Sequence, residues 1–130
     1  MSLSLLASLV LASQAPAPSV EVAFMRALAA GDAAAVMAML GEDATIMHEE
    51  AGTAVPSTGA AITEFLKDCE GAVLFDMVGD EPGAMAYSTS WSCGARGQAD
   101  MLLWTQDDRV IWVQLFKLAQ PEPQPPEDVQ

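Results

Sequence analysis

The chain has 130 residues, 52% of them hydrophobic and 18% charged, with a mean hydropathy of +0.26. That composition excludes a wholly disordered chain, and the length is that of one domain. Five Lys and Arg against eighteen Asp and Glu give a net charge of −13. This argues against binding nucleic acid or an anionic membrane through clustered cations, and no apolar run reaches the roughly 18 residues of a membrane span.

Residues 1–18 read MSLSLLASLVLASQAPAP. An apolar stretch, Leu3 to Ala12, is followed by small residues, the pattern of a secretory signal peptide and linker, with a cleavage site after Ala12. A mature form in the periplasm or outside the cell is expected; the alternative is an extra N-terminal helix on a cytoplasmic protein. The domain then covers 19–120. Residues 121–130, PEPQPPEDVQ, hold four prolines and three acids. They read as a disordered or polyproline II tail that buries too little to offset its ordering entropy.

The first helix starts at Ser19, with Val20, Ala23, Phe24, Ala27 and Leu28 on one face, and stops at Gly31. Asp32 caps a second helix, in which Val36, Met39 and Leu40 share a face and Gly41 closes the element. The third runs from Gly59 to Glu70, led by Thr58 or Gly59, with Ile62, Phe65, Leu66 and Cys69 as its stripe. Ala44–Glu50 reads as a strand, and Gly52 and Pro56 mark a turn and a short edge return. Four strands follow, Ala72–Val78, Ala84–Cys93, Gln98–Thr105 and Val110–Leu118, separated by turn clusters. Helices first and antiparallel strands later give an α+β domain.

Side-chain size sets an expected register. Met85, Tyr87, Thr89, Trp91 and Cys93 alternate with Ala86, Ser88, Ser90 and Ser92, a large face and a small one. Pairing large with large puts Val73, Phe75 and Met77 beside that face. A two-residue turn at Ala95-Arg96 sets Trp91 opposite Asp100 and Tyr87 opposite Trp104, and a turn at Asp107-Asp108 adds Ile111, Val113 and Leu115. Asp76 falls on the other face. That opposite face carries Met101, Leu103, Val110, Trp112 and Phe116, too apolar for water, so a second copy is expected to cover it. A one-residue slip would exchange the faces of the last two strands. The first register also brings Cys93 opposite position 69. With only two cysteines and an oxidising destination, a Cys69–Cys93 disulfide is the expectation, the alternative being two reduced buried thiols.

The segments FMRALAAGD, EDATIMHEE, STGAAITEFL, AMAYSTSWSCGAR and ADMLLW resemble the nuclear transport factor 2-like superfamily, and within it the ketosteroid isomerases and SnoaL-like proteins. The resemblance spans Val20 to Leu118. It implies three helices packed on a strongly curved antiparallel sheet, the cystatin-like arrangement, enclosing a cone-shaped pocket. Isomerases of this kind use an Asp base with a Tyr and a protonated Asp as oxyanion donors. Their base position falls on His48, the acidic donor on Asp100, and the Tyr on Phe24, which has no hydroxyl. The Arg-x-Asp pair of limonene-epoxide-hydrolase relatives is replaced by Thr89-x-Trp91, with Leu115 in place of their further Asp.

His48, the only histidine, is therefore the candidate base, and Asp100, alone in an apolar strand, the candidate acid or orienter. The alternatives are a partly exposed imidazole beside Glu49 and Glu50, and a strand-end carboxylate paired with Arg96. Tyr87, Thr89, Trp91 and Trp104, with Phe24 from the first helix, are the candidate ligand-binding residues; an aromatic stripe can equally be core. A Ser-His-Asp set of Ser88 or Ser90, His48 and Asp100 has no spacing in its favour. No phosphate loop, dinucleotide fingerprint or metal-ligand spacing is present, and no cofactor is expected. Three functions remain: a pocket protein for a small apolar molecule, a cofactor-free isomerase, dehydratase or cyclase, and a protein-binding module with a filled cone.

Overall fold

The structure is a computed structural model that describes residues 18–117, with only the backbone of Lys117. The expected signal segment, but for Pro18, and the Pro-rich tail lie outside the described residues. Helix α1 spans Val20–Ala30, α2 Ala33–Met39 and α3 Gly59–Leu66; the strands are β1 Leu40–Glu50, β2 Thr53–Pro56, β3 Glu70–Val78, β4 Ala84–Ser92, β5 Gln98–Gln106 and β6 Arg109–Lys117. The strands form one sheet in the order β2-β1-β6-β5-β4-β3. All neighbours are antiparallel except β1 and β6.

Local chemistry sets the helix ends. Gly31 takes φ 72 and donates its N–H back to the Ala27 and Leu28 carbonyls, a left-handed stop that glycine adopts freely. The Asp32 side chain accepts from Ala35 N at 3.1 Å, and Thr58 Oγ1 from Ala61 N at 3.1 Å, each satisfying an otherwise orphaned helix donor. Helix α3 ends earlier than its apolar stripe suggested. Lys67–Cys69 form a turn in which Asp68 takes φ 64 and β3 begins at Glu70. Leu40 and Gly41 belong to β1, not to α2.

The core lies between the helices and one sheet face. Phe24, Leu28, Val36, Leu66, Trp91, Met101, Leu103, Val113 and Leu115 are each at most 1% exposed. Trp91 packs so closely on the start of β3 that a Cβ on Gly71 would stand 2.8 Å from its ring, so that position admits no side chain without displacement.

Three register details differ from expectation. Strands β4 and β5 are joined by five residues, not two: a 3₁₀ turn at Gly94–Arg96, closed by Cys93 N–H donating to the Gly97 carbonyl at 2.8 Å. The odd length moves the pairing by one, so Trp91 faces Ala99 and Tyr87 faces Leu103. Met101 and Leu103 thereby enter the core, while Asp100 and Trp104 turn outward. In β6, Val113 and Leu115 point inward as expected. A bulge at Ile111 also buries Val110 and leaves Trp112 outside against Trp104, their ring centroids 5.7 Å apart. In β3 a bulge at Leu74 keeps Val73 opposite Thr89 but places Phe75 opposite Ser88 and Asp76 opposite Tyr87. Phe75 and Met77 therefore turn outward, 56% and 58% exposed, and Asp76 moves to the side of Tyr87.

Candidate functional site

Strand β1 delivers His48 to the inner face. It pairs with Leu115 of β6, as Ile46 pairs with Val113, and both partners are core residues. The hydrogen bond from Ser57 N to the Ile46 carbonyl, 2.8 Å, brings the chain back over this end of β1 and into α3. Between them lies a cavity of about 170 Å³ lined by His48, Ser57, Ala61, Ile62, Phe65 and Leu115. Of these residues only His48 and Ser57 carry a polar side chain.

His48 Nε2 lies 3.0 Å from Glu50 Oε1. Residues two apart on a strand share a side, which is why these two meet. A carboxylate only accepts, so in the neutral ring Nε2 carries the proton and Nδ1 holds the lone pair. The carboxylate is solvated, Glu50 being 66% exposed, whereas the imidazole is 17% exposed. Nδ1 itself is buried, and among the described residues it is the one buried side-chain nitrogen or oxygen with no hydrogen-bond partner. Such a group costs about 1–3 kcal/mol unless something fills its valence. Its lone pair would accept a hydrogen bond, or a proton, from a small group that displaces the atoms now covering that nitrogen.

The other expected site residues do not gather there. Asp100 stands on the outer face, opposite Ser90 and Phe116, so it cannot act with His48 as acid or orienter; Glu50 holds the orienting place. Arg96 does not pair with Asp100 either. Its guanidinium donates to the Phe65 and Lys67 carbonyls at 2.9 and 3.0 Å. Phe24, Tyr87, Thr89 and Trp91 are 1%, 8%, 0% and 1% exposed and belong to the interior. Their polar atoms are used within it: Trp91 Nε1 donates to Thr89 Oγ1 at 3.0 Å, and Thr89 Oγ1 donates to the Met101 carbonyl at 2.9 Å. Burial raises the Tyr87 hydroxyl above its usual pKa; the nearby Glu21 carboxylate adds to this and a hydrogen bond with Thr105 opposes it. Trp91 also borders a groove of about 410 Å³ between α1 and β3, with Met25 and Val73 beside it and Arg26 and Glu70 at its lip. Trp104, 45% exposed, borders one of about 540 Å³ at the far end of the sheet. Cys69 and Cys93 are joined by a disulfide with Cα atoms 4.4 Å apart. Among the described residues no three His, Cys, Asp or Glu side chains gather as a metal site.

Glu50 is the residue that sequence reasoning passed over. The signal was present: on an alternating strand, His48 and Glu50 fall on one side while Glu49 falls on the other.

No protein-family model matches the chain, and no curated protein is detectably similar in sequence. Solved structures are similar in fold. An NTF2-like protein of unknown function from Silicibacter pomeroyi aligns at TM-score 0.56 and 13% identity, over 88% of this chain and 97% of that one. A protein of unknown function with a cystatin-like fold from Methylobium petroleophilum aligns at TM-score 0.55 and 12% identity, over 83% and 77%. An NTF2-like protein of unknown function from Methylobacillus flagellatus aligns at TM-score 0.53 and 13% identity, over 77% and 87%.

Proposed function

The chain has an NTF2-like fold, and we propose that it uses that fold to bind a small, mostly apolar molecule carrying one hydrogen-bond donor, in the cavity beside His48. The observation that carries this reading is the buried, unpartnered Nδ1 of an imidazole whose other nitrogen is fixed by Glu50. A buried acceptor beside unfilled apolar space is satisfied by a ligand that brings a donor with it. Phenol and benzene test this as probes, since they differ by one hydroxyl. Phenol is expected to bind at least about threefold more tightly, the worth of one net hydrogen bond, and His48→Leu is expected to erase the difference. Equal binding of the two probes by the unaltered chain refutes the reading.

A second reading, proton transfer with His48 as base, is favoured by the Glu50 carboxylate, which orients the ring as general bases are oriented. Any turnover of a bound ligand would then vanish in His48→Gln and fall in Glu50→Gln.

The outer sheet face is proposed to pair with a second copy of the chain. Trp104, Trp112, Phe75 and Met77 on that face support it, an apolar set that a sheet leaves in water only at a cost. Sedimentation at micromolar concentration is expected to show a dimer, and Trp104→Glu to give a monomer; a monomeric unaltered chain removes the proposal. Export is likewise proposed, and the Cys69–Cys93 bridge supports an oxidising compartment.

A further inference from the structure

The connection between β4 and β5 holds chemistry that the His48 cavity does not use. Cys93 follows β4 and is half-buried, whereas its partner Cys69, in the turn between α3 and β3, is 3% exposed. Arg96 sits on the 3₁₀ turn directly after Cys93. Its Nη1 donates to the Phe65 carbonyl at 2.9 Å and its Nη2 to the Lys67 carbonyl at 3.0 Å. The same Nη2 lies 3.2 Å from Cys69 Sγ, and the guanidinium carbon stands 5.7 Å from the centroid of the Phe65 ring. Cys93 is thus the more exposed residue of the bridge, whereas Cys69, which also lines the groove between α1 and β3, lies against a fixed cation.

We propose that the Cys69–Cys93 bridge is a directional thiol-exchange site that takes a low-molecular-weight thiol on Cys93. The incoming thiolate attacks Cys93 Sγ and forms a mixed disulfide with it. The Cys69–Cys93 bond breaks, and its electron pair leaves with Cys69 Sγ as a thiolate beside Arg96. The thiol is the only co-reactant, and the number of disulfide bonds is unchanged. Exchange runs faster when the departing sulfur is stabilised as an anion, and a guanidinium keeps its charge throughout the accessible pH range. Two backbone carbonyls already hold this one in place, so no side chain has to reorganise as charge develops on Cys69. Those carbonyls belong to the C-terminal end of α3, whose dipole would oppose a nearby anion, and Arg96 neutralises that end as it meets the sulfur. Asp68 and Glu70 flank Cys69 and are exposed. Their carboxylates repel an anionic attacker at Cys69, but being solvated they weigh less on the departing thiolate than a guanidinium in contact with it. Nothing in this inference depends on what the His48 cavity binds.

The test uses the oxidised full chain, a limiting amount of 2-mercaptoethanol, trapping with iodoacetamide and peptide mapping by mass spectrometry. The mercaptoethanol adduct is expected on Cys93 and the alkyl group on Cys69, in roughly tenfold excess over the reverse. Comparable amounts of both, an excess on Cys69, or no exchange overturns the proposal, and none of these outcomes needs a variant. Arg96→Gln is expected to slow exchange roughly tenfold, with Arg96→Lys keeping most of the rate through its retained charge. Circular dichroism checks that each variant is folded. An unchanged or faster rate in folded Arg96→Gln overturns the role of Arg96, and equal losses in the two variants reduce that role to positioning alone. Should Arg96→Gln fail to fold, the mapping of the unaltered chain still decides.

Discussion

Beneath α1 the core is packed, with the groove of about 410 Å³ between α1 and β3 at its margin. Phe24, Leu28, Trp91, Met101 and Leu103 are each at most 1% exposed, and the polar atoms among them are consumed in a chain of bonds from Trp91 to Thr89 to the Met101 carbonyl. At the α3 end of β1 the same inner face behaves otherwise. His48 borders about 170 Å³ of unfilled space, and its Nδ1 has no partner. The two regions share one sheet and one set of helices, so the fold does not dictate the difference. Where a buried polar atom is answered by a neighbour it holds the core together; where it is left unanswered it costs stability until a partner reaches it.

The comparison breaks if the packed region tolerates loss. Trp91→Ala is expected to cost about 3–5 kcal/mol in urea denaturation, since it removes a large side chain from a packed site. A loss below about 1 kcal/mol would mean that the region beneath α1 is loosely filled. The next effect is smaller. Thr89→Val keeps the shape but leaves Trp91 Nε1 without its acceptor, at a cost of about 1–3 kcal/mol. A neutral result would show that the indole finds another partner.

In the open region the sign changes. His48→Leu removes the unanswered nitrogen along with the ring, so stability is expected to stay within about 1 kcal/mol of the unaltered chain or to rise. A loss as large as that of Trp91→Ala would place His48 among the structural residues. The smallest effect concerns pH. The Tyr87 hydroxyl is held neutral by burial and by Glu21. The unfolded state therefore ionises first, near pH 10, and the stability that Tyr87 contributes is complete below that pH and lost as pH rises through the higher folded value. Tyr87→Phe is expected to flatten that part of the denaturation profile; an unchanged slope would assign it to other groups.

How much of this could be read in the sequence depended on whether the signal was local. Asp32 and Thr58 announce their helices, and the size alternation from Met85 to Trp91 announces which face of β4 is buried, because each depends only on neighbours in the chain. The partners of β4 were a different matter. A five-residue link and a two-residue turn fit the same glycines at positions 94 and 97, and the choice between them decides whether Asp100 or Met101 faces the core. Nothing in the residues around Leu74 or Ile111 marks a bulge, yet those bulges expose Phe75 and bury Val110. The candidate site was half legible. His48 stood out as the only histidine and Glu50 was available from strand alternation. The cavity exists only because Ser57, Ala61 and Phe65 come back over β1, and no spacing in the chain expresses that.

One measurement bears most directly on the central claim: nitrogen NMR of the His48 ring, unambiguous because the chain has a single histidine. With the ring neutral, the free protein is expected to show a protonated Nε2 and a bare Nδ1. Phenol is expected to move the Nδ1 resonance toward that of a hydrogen-bonded nitrogen and to leave Nε2 in place, while benzene moves neither. A proton on Nδ1 in the free protein, or an Nδ1 resonance that phenol leaves unmoved, would contradict the account.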